Sequence, residues 1–326
     1  MLEEKFIPPF IDFINNNFNE EEHLFVFLGQ KRDKYGEVRA DNIVYISKKA
    51  NIFKFFKFLY QAEKIIIHGL WFEHLNKILF LNPWLYKKCY WVMWGGDFYF
   101  PNKQSWFQKQ SIKRIGHLIT YVKGDYELAQ KWYSANGKYH ECFMYPSNLY
   151  KSYDLYRKED VTITIQIGNS SDPTNNHLDI FAKLNIYKDH NIKIYAPLSY
   201  GDDEYAKRVI EKGKTLFGDK FIPLTEFIPF EEYLKFLADI DIAIFAHDRQ
   251  QAMGNAITLL GLGKKVYMRS DVTQWNFFQD LGVKVFDFNQ ISLEPLNEEV
   301  KKENQEKIKK YFSKKNYIMQ LIELFK

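Results

Sequence analysis

The stretch DIAIFAHDRQQAMGNAITLLGLGKKVYM, Asp241 to Met268, gathers residue types that suit a diphosphate. An apolar run at 242–246, too short for a helix, leads into His247, Asp248, Arg249, Gln250 and Gln251. Gly254 and Asn255 then open a helix of small residues, and a second strand follows at 266–268. A helix that starts beside the carboxyl end of a parallel strand offers free backbone N–H groups and its positive dipole end to an anion. Arg249 adds a bidentate donor, and Gln250 and Gln251 add neutral ones, so no metal is required. A second stretch, QIGNSSDPTNNH at 166–177, has the same character. Gly168 permits a tight turn, Asn169, Ser170 and Ser171 supply small donors, and Asp172-Pro173 or Thr174 can start a helix. Either stretch could be a polar turn without a ligand; position favours binding, since open α/β sheets take ligands outside the carboxyl ends of their strands.

Those loops need sheets to carry them, and the chain supplies strand and helix in alternation, twice. Strands are expected at 24–28, 43–46, 64–68, 89–94, 118–122 and 140–144, then at 162–167, 192–196, 221–224, 242–246, 265–268 and 283–286. Helices are expected between them at 53–61, 72–80, 126–135, 177–187, 203–217, 230–238, 252–262 and 273–281. Alternation of this kind implies parallel sheets covered on both faces. The polar stretch at 147–160 has no clear period and marks the boundary. The pattern therefore predicts two Rossmann-like domains, 1–155 and 156–290, and a C-terminal helical segment, 291–326, packing across them. Its apolar positions Ile308, Tyr311, Phe312, Ile318, Leu321, Ile322 and Phe325 share one helical face, with a break near Ser313. Two such domains facing a cleft, with a helix crossing back, is the GT-B plan of nucleotide-sugar transferases. That much is analogy of fold.

Composition narrows the function classes. A chain of 326 residues with 46% hydrophobic and 26% charged residues reads as a soluble globular protein of two domains. Cys89 and Cys142 are too few for a disulfide framework and read as buried thiols in a reducing compartment. The opening MLEEKFIPPFIDF is acidic and broken by Pro8 and Pro9, unlike a signal peptide. No run of 18 apolar residues exists to span a bilayer. Neither half carries GxGxxG or a P-loop, against dinucleotide oxidoreductases and nucleoside triphosphatases. The acidic pair Asp239 and Asp241 precedes its strand and so lies at the wrong sheet edge for a metal–diphosphate motif, and no other residue cluster has metal spacing.

Four segments together, IIIHGLW (65–71), WVMWGGDFY (91–99), QIGNSSDPTNNH and FAHDRQQAMGNAITLLGLGKKVYM, resemble the TDP-N-acetylfucosamine:lipid II N-acetylfucosaminyltransferases, glycosyltransferase family 56. The similarity runs from about Ile65 to Phe286. It implies a GT-B fold, a dTDP-activated deoxyamino sugar as donor with no cofactor, and a polyprenyl-diphosphate-linked saccharide as acceptor. It also implies work in enterobacterial common antigen assembly at the cytoplasmic face of the inner membrane, with no nucleic-acid partner. On this reading the second half holds the nucleotide, with Gly168, Asn169, Ser170, Arg249, Gln250, Gln251, Gly254 and Asn255 on the diphosphate. Tyr195, Thr225, Phe227 and His247 are expected near the base and ribose.

The first half then holds the acceptor. Leaving-group charge needs electrostatic stabilisation, and an inverting transfer needs a group that takes the acceptor proton. Asp97, which follows a strand and two glycines, is the first candidate, and His68, after the 65–67 strand, the second. From Leu81 to Lys123 there are seven basic residues, one acid (Asp97) and four of the seven tryptophans, a mixture suited to anionic headgroups or to a phosphorylated substrate. Lys87, Lys88, Trp106, Lys113 and Arg114 are the membrane and acceptor candidates. Two rivals remain: a non-catalytic nucleotide-sugar binding module, and a two-domain sugar-nucleotide epimerase, which needs no lipid acceptor.

Overall fold

The computed structural model describes residues 6–29, 40–46, 52–151 and 161–326. The chain divides into two units, one made of Met1–Leu149 with Tyr317–Lys326, the other of Tyr150–Asn316. The expected boundary segment falls partly outside the described residues, at 152–160.

In the first unit, helix α1 (Ile7–Asn17) precedes a parallel pair, β1 (Phe25–Leu28) and β2 (Ile43–Ile46). Next come α2 (Ile52–Gln61), β3 (Ile65–His68), α3 (Glu73–Leu81), β4 (Cys89–Val92), α4 (Trp106–Arg114), β5 (His117–Ile119), α5 (Lys123–Tyr133) and β6 (Lys138–His140). Strands β3, β4, β5 and β6 lie in that order, all parallel. All four residues of β4 are buried, as expected of a parallel strand covered on both faces. Helix α2 turns Phe55 and Leu59, one turn apart, into the core beside Ile67, Leu79 and Trp91.

The second unit contains β7 (Ile163–Ile167), α6 (His177–Leu184), β8 (Ile192–Pro197), α7 (Asp203–Phe217), β9 (Phe221–Leu224), α8 (Phe230–Asp239), β10 (Ile242–Phe245), α9 (Met253–Gly261), β11 (Lys265–Met268), α10 (Thr273–Asp280), β12 (Phe286–Asp287) and α11 (Glu298–Tyr311). Helix α7 shows how local rules set the layers. The Asp202 carboxylate accepts from the Tyr205 N–H at 2.7 Å to start it. Tyr205, Val209, Gly213 and Phe217 recur every four residues as its buried face. The sheet order is β12-β11-β10-β7-β8-β9, every pair parallel. The chain builds outward from β7 through β8 to β9, then crosses to the other side of β7 for β10, β11 and β12. The order reverses between β7 and β10, and that reversal leaves a crevice at their carboxyl ends.

Helix α12 (Lys314–Phe325) begins where Ser313 Oγ accepts from the Asn316 N–H at 3.2 Å, at the break in the apolar pattern. Within the first unit its Tyr317 ring packs 4.9 Å from that of Phe143. Among the described residues, two α-helices carry no sequence expectation, α1 and α4. The sixth strand sits at Lys138–His140 and the twelfth at Phe286–Asp287, each displaced from its expected span because the apolar run there supplies packing after or before the paired residues. Both cysteines are buried and unpaired, and burial pushes each thiol up to about 12.

Candidate active site

The reversal point of the second sheet is occupied by the two loops singled out by composition. Gly168 ends β7 with φ +58°, and a Cβ there would meet His177 Nε2 at 2.5 Å and Asn175 Oδ1 at 2.7 Å, so only glycine fits. Beyond it Asn175 organises the turn: its Oδ1 accepts from the Asn169 N–H at 2.8 Å and from His247 Nε2 at 3.0 Å. Its Nδ2 donates to Ser170 Oγ and to the Asp172 carbonyl. Asn176 joins this loop to the one after β10, its Nδ2 donating to the Ala246 carbonyl and to Asp248 Oδ1, both at 2.8 Å. Asp248 in turn receives Arg269 Nη1 at 2.9 Å, and its N–H donates to the Thr174 carbonyl at 3.1 Å. The loops are therefore held as one surface before any ligand arrives, which lowers the ordering cost of binding.

The start of α9 supplies the anion-binding element. Ala252 precedes it in the left-handed region (φ +55°) with no side-chain cap, and the Met253, Gly254 and Asn255 N–H groups have no hydrogen-bond partner among the described residues. Arg249 is mostly buried beside it, Nη1 donating to the Gln250 carbonyl at 3.3 Å and Nη2 lying 3.9 Å from Asp172 Oδ2. Burial alone would raise the Asp172 carboxyl, but Thr174 and Arg249 outweigh it and hold the group below the ordinary carboxylate range. Gln251 is committed to the loop. Its N–H donates to Gln274 Oε1 at 3.0 Å, and its amide Nε2 reaches Asn169 Oδ1 at 3.4 Å. Of the diphosphate set, Arg249, Gly254 and Asn255 present free donors, whereas Asn169, Ser170 and Gln251 chiefly hold the cradle.

The base and ribose set is dispersed. His247 is fully buried, donates through Nε2 to Asn175 and stacks on Phe245, so it braces the loop rather than facing a nucleoside. Tyr195 lies within β8 and packs edge-on against Phe236, one layer below the strand ends. Thr225 and Phe227 do lie past the end of β9 and are exposed, Phe227 by 83%. Two tyrosines without a sequence expectation stand nearer the crevice. Tyr200, past β8, accepts from Asn169 Nδ2 at 2.8 Å, and the Tyr233 phenol is hydrogen-bonded to Gln166 and Asn255. Only the tyrosine–glycine pair after β8 could have signalled Tyr200; Tyr233 sits in an ordinary amphipathic helix.

At the carboxyl edge of the first unit's sheet stand the two candidate bases, Asp97 and His68. Asp97 is fully buried. Its Oδ2 accepts from the Leu70 N–H at 3.0 Å and Trp91 Nε1 at 2.7 Å, and its Oδ1 accepts from the Trp94 N–H at 3.1 Å. Burial pushes its carboxyl up to about 6 against those three donors. It clasps the loops after β3 and β4 together, with three donors on its two oxygens and no exposed surface, an arrangement that suits positioning. His68 ends β3 almost buried, with Nδ1 2.8 Å from the Tyr145 hydroxyl. Trp94 Nε1, which can only donate, fills the Tyr145 oxygen at 2.7 Å. Among the described residues His68 Nδ1 is the acceptor within reach of the Tyr145 O–H, and with that bond made the neutral imidazole carries its own proton on Nε2. Burial holds its pKa down to about 3, so at neutral pH His68 offers an N–H donor rather than a base.

The basic and aromatic window splits in two. Trp91 and Trp94 belong to the network above, whereas Trp84 and Trp106 are more than half exposed. Tyr60 stacks on Trp84, with centroids 6.5 Å apart, and Trp106 packs edge-on against Phe80 at 5.0 Å. Lys87, Lys113 and Arg114 are exposed, with Arg114 over the Phe80 ring. Lys88 differs: its Nζ donates to the Tyr60 and Ala62 carbonyls at 2.9 and 2.7 Å, closing the end of α2. Its charge serves the fold.

Among the described residues no group of three or more His, Cys, Asp or Glu side chains could hold a metal ion, and no helix is long and apolar enough to cross a membrane. Asp239 and Asp241 lie at the amino edge of the second sheet, where Asp241 Oδ2 accepts from the Thr164 N–H at 3.0 Å. A cavity of about 450 Å3 opens at that same edge, lined by Thr162, Asp241 and Lys264 among others, on the opposite side of the sheet from the crevice.

The geometry agrees with what the chain is similar to. Among solved structures it superposes on a glycosyltransferase from Rickettsia africae with a TM-score of 0.67, at 12% identity over 98% of this chain and 93% of that one. It superposes on WaaG, a glycosyltransferase involved in lipopolysaccharide biosynthesis, with a TM-score of 0.59, at 12% identity over 98% of this chain and 94% of that one. Identities this low speak for fold alone, and that fold is GT-B, two Rossmann-like units. The model of the 4-alpha-L-fucosyltransferase family, glycosyl transferase group 56, matches residues 9–321. With nearly the whole chain matched, the protein belongs to that family and is a glycosyltransferase.

Proposed function

We propose that the enzyme moves a deoxyamino sugar, of the 4-acetamido-fucose type, from a dTDP-sugar to a saccharide carried on polyprenyl diphosphate in bacterial surface polysaccharide assembly of the enterobacterial common antigen kind. The observation that carries the reading is the crevice between β7 and β10, where the uncapped start of α9 and the Arg249 guanidinium converge on the position a leaving diphosphate would take. Donors fixed there before reaction stabilise the charge that develops as the glycosidic bond breaks, and this electrostatic contribution replaces a bound metal. The His68 Nε2–H is available to a sugar or phosphate oxygen at the other sheet edge. The exposed Trp84, Trp106, Lys87, Lys113 and Arg114 favour a peripheral position on the cytoplasmic face of the inner membrane, where the acceptor lipid resides.

Pure protein incubated with a dTDP-deoxyamino sugar and a farnesyl-diphosphate-linked disaccharide, with EDTA present, should yield the trisaccharide by mass spectrometry. Epimerised nucleotide sugar without transfer would assign the chain to the epimerases. Nucleotide binding with no product from any dTDP-, UDP- or GDP-sugar would leave it a binding module. Activity abolished by EDTA and restored by magnesium would overturn the metal independence.

A further inference from the structure

Trp71 stands apart from the other indoles of its unit. It is 45% exposed, three residues past the end of β3, and among the described residues it has neither a ring partner nor a hydrogen bond at Nε1. Its seat is made by two glycines. A Cβ on Gly69, whose φ is +77°, would meet Trp71 Cδ1 at 2.6 Å, and a Cβ on Gly96 would meet Cη2 at 2.7 Å. The pyrrole end of the indole therefore lies over one glycine and the benzo end over the other, closer than any side chain would permit. The backbone under it is pinned on both sides. The Gly69 N–H donates to the Val92 carbonyl at 3.2 Å, the Leu70 N–H to Asp97, and the Leu70 carbonyl accepts from the buried Asn76 Nδ2 at 3.1 Å. A large apolar ring, rigidly placed and left in water at the ligand edge of a parallel sheet, costs hydration free energy that the fold itself does not recover.

We propose that Trp71 is the platform on which a pyranose ring of one sugar substrate stacks, with the His68 Nε2–H, at the same strand end, reading a hydroxyl on that sugar. The apolar C–H face of a pyranose carries slight positive charge and matches the negative face of an indole, and the two glycines set the height and tilt of that face. The assignment rests on the glycosyl-transfer reading. It names which residue of the first unit recognises the sugar, whether that sugar is the donor's or the acceptor's.

Steady-state kinetics with each substrate varied in turn separates the two sources. Trp71→Ala should raise KM for one of them about tenfold, the size of a lost aromatic stack, while calorimetric binding of dTDP to the second unit is unchanged. Trp71→Tyr should restore most of the loss. Gly96→Ala should push the indole off its seat, raise the same KM, and add nothing when Trp71 is already Ala. An unaltered KM for both sugars in Trp71→Ala, or an equal cost of Gly96→Ala in both backgrounds, would overturn the platform. Saturation-transfer NMR with methyl β-N-acetylglucosaminide and methyl α-L-fucoside, irradiating indole protons, reads the contact without turnover. A pyranoside signal present in the wild type and absent in Trp71→Ala supports the proposal even if no transfer is found, and equal signals refute it.

Discussion

Arg249 lies 3.9 Å from Asp172, an unshared distance that leaves the guanidinium free to exchange a weak ion pair for a diphosphate. Arg249→Ala should weaken dTDP binding by about 1.5–3 kcal/mol, roughly ten- to hundredfold in Kd, if the contact is charge-assisted; calorimetry showing equal affinity would remove Arg249 from the site. The buried imidazoles of the same unit make a separate prediction. Burial holds His177 down to about 4, with both ring nitrogens unpartnered. It holds His247 down to about 3, with Nδ1 unpartnered. An unfolded imidazole titrates near 6.5, so below that pH the unfolded chain binds protons that the folded chain refuses. Stability contributed above pH 6.5 should therefore be lost as pH falls, at about 1.4 kcal/mol per pH unit for each histidine until the folded value is reached. Neither ring should titrate by NMR above pH 5, and His247→Asn should flatten the decline of the urea midpoint between pH 6.5 and 5. A midpoint that declines just as steeply in that variant would show that other groups carry the acid sensitivity.

The loops after β3 and β4 act as one element because a single carboxylate holds them, and the predicted consequence differs from that of a catalytic base. In Asp97→Asn one of the three N–H donors must face an amide NH2, which should cost about 1–3 kcal/mol of stability. The variant's residual activity should keep the wild-type pH profile of kcat/KM; loss of an acidic limb in that profile would restore Asp97 to proton transfer. This element also shows what a sequence can and cannot disclose. Parallel strands such as β4 and β10 are legible because burial on both faces demands unbroken apolar runs, and the loops after β7 and β10 are legible as turns because Gly168 and the small residues at the α9 start leave marks in composition. Helix α1 was hidden by Pro8 and Pro9, which read as breakers but sit in the first turn, where a missing N–H costs nothing. The setting of Asp97 and His247 is not legible in this way, because a polar residue after a strand looks the same whether it faces a ligand or turns inward to meet buried polar groups. Only the hydrogen-bond partners, Leu70, Trp91 and Trp94 for the one and Asn175 for the other, decide.

At the scale of the whole molecule, the charges nearly cancel, 45 basic against 41 acidic, so any membrane attraction must come from where they lie. In the first unit the exposed Trp84 and Trp106 adjoin Tyr60 and Phe80, with Leu81 beside them in the chain, while Lys87 and Lys113 are exposed and Arg114 lies over the Phe80 ring. Amphipathic rings at an interface with basic residues beside them gain from both apolar insertion and anionic headgroups, the latter at about 1 kcal/mol per basic residue. Replacing Lys87, Lys113 and Arg114 together by Ser should therefore weaken binding to vesicles containing anionic lipid by about a hundredfold while leaving turnover of a short-chain, water-soluble acceptor near the wild-type level. Lys88→Ser should do the opposite, lowering the unfolding midpoint because the Tyr60 and Ala62 carbonyls at the end of α2 lose their donor, with little change in vesicle binding. Co-sedimentation with anionic and neutral vesicles at low and high salt distinguishes the two. Attraction of this kind fades within a Debye length of about 8–10 Å near physiological salt, so raising salt several-fold should release the protein from anionic vesicles. Binding that ignores both lipid charge and salt would mean that these basic side chains only solvate the first unit.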